Sequence, residues 1–434
     1  LGISYHAASQ WRLANLQPPS LKAIMPWEGR ADQYRDQAYH GGIFASGWFA
    51  SWWITHTGNH LLGRPRSYNP EAFHNDLVWQ YMRHDLDSEY WRLCSARWDK
   101  IEVPVYSVGN WGGFSMHLRG NTEAFMCAAS SHKKLRIHTG THFHPFHSEE
   151  GRMDQLRWFD HWLKGIDTGI MDEPPVKLEI RTGGSPRPYP FRTENEWPLA
   201  RTQWNQVYLD IRREPSAEAM ACEGGLTCEA PQKEAKLTYP ASGSTKAGIA
   251  SGSSLATTHG NTGRTGVSFE TDAMPHDTEI TGPIVLNVWV SSTSEDMDIF
   301  VTLRNIGPDG KDVWEVGQQG MPVPLTKGWL RASHRKLDAE KSLPYRPYHA
   351  HDERWWLTAN EPVECRIEIW PTCIVLTQGH RLRMDVQPRD GVGHEPYRHF
   401  HADYNAGARN TIHAGGDMAS YLLLPVIPPQ SAAG

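Results

Sequence analysis

The stretch Leu1-Gly2-Ile3-Ser4-Tyr5 at the start of the sequence predicts the end of a β-strand that turns sharply into a helix. Residues 5 to 17 continue with a helical pattern, which Pro18 and Pro19 end because proline cannot extend a helix. Such a strand end has meaning only as part of a larger sheet. We therefore expect the chain to be N-terminally truncated, and the remaining strands of that sheet to follow in the sequence.

Strand and helix patterns alternate through residues 1–173. Strands are predicted at 21–25, 103–108 and 135–138, and helices at 118–130 and 154–163. This alternation is typical of a parallel sheet with helices packed on it. The intervening segment at about 30–99 is rich in Trp, His and Arg, and we interpret it as an inserted helical cap.

The pattern changes after Pro174. Short alternating segments, separated by Gly, Pro and Asp turns, are predicted as strands at 176–180, 206–209, 284–290, 298–303, 366–370 and 382–386. Residues 242–266 are rich in Gly, Ser and Thr and are predicted as a long loop. The sequence therefore predicts an α/β domain over 1–173 and an all-β sandwich over 174–434.

Composition excludes several classes of protein. Of 434 residues, 21% are charged and 39% hydrophobic, and the net charge is -6, as in an ordinary globular protein. We expect neither a nucleic acid nor a membrane as partner, because there is no basic run and no apolar stretch of about 18 residues. The six cysteines form no CxxC pair that would indicate zinc. We predict a soluble protein whose compartment is unknown, with the cytoplasm as default, and a homo-oligomer stays open.

Ser4 lies where a nucleophile elbow places its serine, although His6 replaces the second glycine of the G-x-S-x-G pattern. A serine hydroxyl needs a histidine as base and a third group to orient it. His142 follows the predicted last strand of the sheet and is our candidate base. Neighbouring histidines leave a surface role or a metal cluster as alternatives, but no H-E-x-x-H spacing is present, and we predict no metal site.

The acid of this triad is the open question. The turn after the strand at 103–108 reads Gly-Asn-Trp-Gly-Gly and holds no carboxylate. We propose Glu28, which follows the preceding strand, while Asn110 and Asp32 stay as alternatives and Glu28 could be a simple turn residue. The backbone N–H of Tyr5, directly after the serine, is the candidate oxyanion-hole donor.

Five segments together resemble the CocE/NonD hydrolases, relatives of cocaine esterase, α-amino acid ester hydrolases and X-Pro dipeptidyl-peptidases. They are G-I-S-Y at 2–5, L-Q-P-P-S-L-K-A-I-M-P-W-E-G at 16–29, V-G-N-W-G-G at 108–113, W-F-D-H-W-L-K-G at 158–165 and E-I-W-P-T at 368–372. The resemblance implies an α/β-hydrolase core with a helical cap, followed by a jelly roll resembling the X-Pro dipeptidyl-peptidase C-terminal domain. It also implies that Ser4, His142 and the Tyr5 amide are functional and that no cofactor is required.

The sequence departs from this family in two places. The segment that precedes the serine in family members, with a tyrosine that completes the oxyanion hole, is missing, and Gly113 aligns with the family's aspartate. We expect a serine hydrolase that cleaves a small ester, an amide or a short peptide. The alternatives are an X-Pro dipeptidyl-peptidase, or a catalytically impaired fragment that acts as a binding or structural protein, with Trp355 and Trp356 as candidate ligand contacts.

Overall fold

The computed structural model describes residues 1–47, 77–185, 187–212, 223–241, 266–391, 399, 405 and 407–429. Two sequence predictions fall largely outside these ranges. They are the middle of the proposed cap, at 48–76, and the proposed long loop, of which only residue 266 is described.

A six-stranded sheet forms the first domain and brings the ends of its strands to one edge. The strands of this half of the chain are β1 (Gly2–Ile3), β2 (Pro26–Trp27), β3 (Tyr39–His40), β4 (Ile43–Phe44), β5 (Val105–Asn110), β6 (Lys133–His138), β7 (Val176–Glu179) and β8 (Phe191–Glu194). The sheet order is β1-β2-β5-β6-β7-β8, and every neighbouring pair is parallel except β7–β8. Because parallel strands end at the same edge, the residues after β1, β2, β5 and β6 meet there.

Helices cover this sheet. They are α1 (Tyr5–Asn15), α2 (Leu77–Arg83), α3 (Glu89–Cys94), α4 (Leu118–Cys127), α5 (His144–His147) and α6 (Glu149–Lys164), with a π-helical turn at Tyr34–Ala38 and 3₁₀ turns at Trp98–Lys100 and Trp111–Gly113. All six residues of β5 are buried, as expected for a parallel strand covered on both faces. In the part of the chain that the structure describes, no helix is long and apolar enough to cross a membrane.

Two strand predictions need correction. The short strand after the first helix lies at Pro26–Trp27 and not at 21–25, where only Ile24 forms a bridge, to Val105. The strand predicted at 176–180 to open the all-β half is β7, which pairs in parallel with β6. Four residues are too few to distinguish a strand of the parallel sheet, buried on both faces, from a strand of the β domain.

The second domain is a β domain of mainly antiparallel strands. Its strands are β9 (Gln203–Ile211), β10 (Gly224–Thr227), β11 (Ala235–Pro240), β12 (Val267–Glu270), β13 (Thr278–Ser292), β14 (Asp298–Ile306), β15 (Glu315–Val316), β16 (Pro322–Val323), β17 (Thr326–Arg331), β18 (Val363–Leu376), β19 (Arg381–Gln387), β20 (Arg409–Ala414) and β21 (Tyr421–Ile427), with 3₁₀ turns at Ala332–His334 and Gly416–Met418. Among the described strands the pairing closes a ring in the order β13-β18-β17-β14-β19-β12-β10-β9-β21, because β13 also pairs with β21. The predicted jelly-roll sandwich is therefore not confirmed, and the domain is described as a closed β structure around one apolar core.

Charged side chains join the two domains. Arg119 on α4 lies 2.9 Å from the Glu368 carboxylate on β18, and Arg346 lies 3.2 Å from Glu123. Arg35 donates to the backbone oxygen of His349 at 2.8 Å. Because breaking one partner of a buried ion pair is costly, these contacts hold the β domain against the helices of the first domain.

Candidate active site

Ser4 occupies a sharp strand-to-helix turn. It lies between β1 and α1 with φ 62° and ψ -124°, a conformation that non-glycine residues rarely adopt. The Ser4 N–H donates to the Trp27 carbonyl oxygen at 3.0 Å, while the Ser4 carbonyl oxygen accepts from Ala7 and Ala8. These bonds hold the strained turn between strand and helix.

Glycines allow α1 to lie this close to the strand ends. A Cβ at Gly2 would meet the His6 Cβ at 2.5 Å, and one at Gly29 would meet the Ala7 Cβ at 2.4 Å. His6 itself is exposed, so the position of the second motif glycine has room for a side chain. The close approach thus depends on Gly2 and Gly29, and the incomplete motif is compatible with the turn.

His142 and Glu28 are brought together. The His142 Nδ1 and the Glu28 Oε2 lie 2.7 Å apart, a short bond between an imidazole and a carboxylate. Glu28 is fully buried at the end of β2, where its N–H donates to the Val108 carbonyl oxygen. The side chain of Asn110 donates to the other Glu28 oxygen at 3.3 Å, and it therefore contacts the carboxylate and not His142.

Asp32 belongs to a different network. Its carboxylate accepts from the Arg35 guanidinium at 2.9 Å and from the backbone N–H groups of Tyr34 and Arg35. Asp32 therefore stabilises the π-helical turn.

Electrostatics keep Glu28 ionised. Burial would raise the pKa of this carboxyl, but the positive charge of His142 and the hydrogen bonds from His138 and His142 outweigh burial and lower the pKa to about 2. Glu28 is therefore a carboxylate when His142 carries a proton near neutral pH.

Two residues near His142 had no signal in the sequence. The His117 ring stacks on the His142 ring with centroids 5.0 Å apart and an interplanar angle of 3°. The His117 Nδ1 lies 2.9 Å from the Gln318 Oε1, and the Gln318 backbone oxygen accepts from the His142 N–H at 2.7 Å. Gln318 belongs to the β domain, so both domains contribute to this site.

Glu28, His117 and His142 also offer ligand atoms within 4.8 Å of one another, a spacing that suits a metal ion. Hydrogen bonds account for this proximity, since the Nδ1 of His142 faces Glu28 and that of His117 faces Gln318. Of the histidines that neighbour His142 in the sequence, His138 is buried with its Nε2 3.3 Å from the Glu28 Oε1, and His144 and His147 are exposed on α5. These hydrogen bonds use the Nδ1 of both rings and one oxygen of Glu28.

The tryptophan pair of the β domain is separate from this site. Trp355 and Trp356 are 44% and 53% exposed, and each has an arginine guanidinium within 6 Å of its ring. The cation–π contacts explain how these two rings are held at the surface.

Comparison with known proteins identifies the family of this chain. The profile of the X-Pro dipeptidyl-peptidase (S15 family) matches residues 1–144, and that of the X-Pro dipeptidyl-peptidase C-terminal non-catalytic domain matches residues 168–423. A Mycobacterium bovis protein described as a serine esterase is 23% identical over 99% of this chain and 76% of its own length. The cocaine esterase of a Rhodococcus species is 22% identical over 98% of this chain and 80% of its own.

A solved structure extends the likeness to three dimensions. The crystal structure of a CocE/NonD family hydrolase from Staphylococcus aureus has a TM-score of 0.83 and 28% identity, covering 98% of this chain and 71% of that one. The match to the C-terminal domain profile, residues 168–423, covers more than half of the chain. The chain therefore belongs to the CocE/NonD family of serine hydrolases, which act on ester or amide bonds.

Proposed function

We propose that this protein is an esterase in which Ser4 is the nucleophile, His142 the general base and Glu28 the carboxylate that orients the base. The observation that carries this proposal is the 2.7 Å bond between the His142 Nδ1 and Glu28, at the sheet edge where Ser4 occupies its strained turn. The three groups follow strands β6, β2 and β1 of one parallel sheet.

The reaction follows from these positions. The Ser4 Oγ attacks the ester carbonyl carbon and its proton passes to the His142 Nε2, while Glu28 stabilises the imidazolium through Nδ1. The same proton is then given to the leaving alcohol oxygen as the carbon–oxygen bond breaks. Water repeats the sequence, freeing the acid and restoring Ser4.

The developing oxyanion needs donors. Tyr5 is the first residue of α1, where the N–H groups have no partner within the helix. Its N–H is our proposed donor. The Ser4 side chain makes no capping hydrogen bond to α1. In free enzymes the hydrogen bond between nucleophile and base is often long and shortens in the substrate complex.

The partners of two carboxylates favour an ester over an X-Pro peptide as the substrate. A dipeptidyl-peptidase needs a carboxylate to bind the free amine of its substrate, and by sequence Glu28 or Asp32 could serve as that carboxylate. Glu28 faces His142 and Asn110, and Asp32 is bonded to Arg35. Neither is left for an amine, which supports an ester of a small acid.

Labelling tests the nucleophile. The chain, its Ser4→Ala variant and a Ser9→Ala control on the exposed side of α1 are treated with a fluorophosphonate probe and assayed on p-nitrophenyl acetate. We expect adduct and turnover in the chain and in Ser9→Ala, and neither in Ser4→Ala. Gly-Pro-p-nitroanilide, measured in parallel, should be cleaved far more slowly.

Two outcomes would overturn the proposal. An adduct that persists in Ser4→Ala would place the nucleophile elsewhere. A folded chain without adduct or turnover would favour the impaired fragment, and faster cleavage of the anilide would favour the dipeptidyl-peptidase.

A further inference from the structure

A hairpin of the β domain reaches the candidate active site. Strands β15 and β16 pair through Glu315–Val323 and Val316–Pro322, and the turn between them carries Gln318. The Gln318 N–H donates to the Gly112 carbonyl oxygen at 3.3 Å, next to the end of β5. The hairpin thus lies against the first domain where the ends of the parallel strands meet.

Gln318 contacts His142 through its backbone. Its carbonyl oxygen accepts from the His142 N–H at 2.7 Å, so the loop that carries the histidine is fixed to the hairpin. Any residue at 318 could supply this carbonyl. The backbone bond therefore does not explain why a glutamine stands there.

The side chain of Gln318 has a second function. It is 3% exposed, and its Oε1 lies 2.9 Å from the His117 Nδ1. With the amide oxygen of Gln318 towards it, the His117 Nδ1 is the donor in this hydrogen bond, which orients the ring. That ring lies parallel to His142 at 5.0 Å.

The ring of His117, which stacks on His142, stays uncharged. Burial first, and then repulsion by a charged His142, lower the pKa of His117 to about 3. His117 therefore stays neutral while His142 gains and loses a proton. The charged or titratable groups that face the pair are Glu28, His138 and Arg30.

We propose that Gln318 is a positioning residue for ester hydrolysis, and that it acts on His142 through the stacked ring of His117. In this arrangement the β domain, through Gln318 and His117, supports one face of the His142 ring, while Glu28 holds the Nδ1 edge of that ring. This inference rests on the proposed function, in which His142 is the base.

Two substitutions of Gln318 test whether its side chain positions His142 or only stabilises the fold. Gln318→Met keeps the length of the side chain and removes the acceptor. Gln318→Glu keeps an acceptor and adds a negative charge near His142. Gln319→Met, at the next and exposed residue of the same turn, is the matched control.

For p-nitrophenyl acetate we expect Gln318→Met to lower kcat by about 10-fold to 100-fold with KM unchanged, because a misplaced base slows the chemical step. The rate of fluorophosphonate labelling should fall in parallel. Gln318→Glu should keep most of the rate at alkaline pH and move the acid limb of kcat/KM to higher pH, since a negative charge stabilises the imidazolium.

The inference is overturned if Gln318→Met keeps the kcat of the unchanged chain, or if Gln319→Met loses as much. Should Gln318→Met not fold, an acid limb that does not move in Gln318→Glu overturns it as well. An unchanged chain that is not labelled at all would instead refute the proposed function, so the two failures are distinguishable.

Discussion

At the scale of single residues, the assignment of the acid depends on Glu28. It receives the His142 Nδ1 at 2.7 Å on one oxygen and the Asn110 amide at 3.3 Å on the other. A carboxylate accepts on both oxygens, whereas an amide must present NH₂ to one of these donors. The site therefore selects glutamate over glutamine by its hydrogen-bond pattern.

Glu28→Gln should lower kcat by roughly 10²-fold to 10⁴-fold with the fold intact, because the negative charge that stabilises the imidazolium is lost and an amide cannot accept from both donors, so the ring and its tautomer are held less well. The measurement is kcat on p-nitrophenyl acetate, with melting temperature as the check on folding. Glu150→Gln, a half-exposed carboxylate on α6, is the control and should retain activity. Unchanged turnover in Glu28→Gln would remove Glu28 from the triad.

The sequence predicted which candidate residues directly follow strands. Ser4, Glu28 and His142 each come shortly after a predicted strand, and Glu28 and His142 meet because parallel strands end at one edge of the sheet. Their roles as nucleophile, acid and base stay predictions. The pair His117 and Gln318 was missed because 201 residues separate them and neither has a motif. Their contact depends on how the two domains pack, which local patterns do not encode.

At the scale of elements, the β15–β16 hairpin depends on a glycine of the opposing turn. A Cβ at Gly112 would lie 2.5 Å from the Val316 carbonyl oxygen and 2.9 Å from the Gly317 Cα. Both neighbours are backbone atoms, so a side chain at Gly112 would force the hairpin away from the end of β5. His142 would then lose the carbonyl oxygen that its N–H contacts.

Gly112→Ala should therefore lower the free energy of unfolding by about 1–3 kcal/mol, the usual cost of overpacking, and lower kcat as well. Chemical denaturation and p-nitrophenyl acetate kinetics measure the two effects. In the control, Gly307→Ala, the new Cβ would meet only the side chains of Asp309 and Val313 and the more distant Lys311 carbonyl oxygen. Equal effects of the two substitutions would contradict a specific role for the hairpin contact.

Element prediction succeeded where flanking signals were strong. Pro18 and Pro19 follow α1 and Gly165 ends α6 in a left-handed conformation, so both helix ends were near those predicted. The strand after α1 was placed too early, because two paired residues are too short to show a period. The closure of the β domain depends on the pairing of β13 with β21, a contact between distant segments.

At the scale of the whole molecule, buried histidines lie in and between the two domains. Burial is the largest cause that lowers their pKa values, to about 3 for His40, His117 and His349 and to about 4 for His334. In the unfolded chain these groups titrate near 6.5. Several carboxyls work in the opposite direction, because burial raises the pKa of Asp36 to about 7 and also raises the pKa values of Asp87, Asp296, Glu315 and Glu368.

These shifts predict that the free energy of unfolding falls as the pH drops below about 6.5. Below that pH the histidines bind protons in the unfolded chain but stay neutral in the folded protein. Each histidine contributes at most about 1.4 kcal/mol per pH unit between its unfolded and folded pKa values, and we expect the four histidines together to outweigh Asp36 and the other carboxyls whose pKa values burial raises. Denaturant titrations from pH 7 to pH 5 measure the slope, which His349→Gln should reduce and the exposed His276→Gln should leave unchanged. A free energy of unfolding that is flat over this range would mean that the buried rings gain protons without cost.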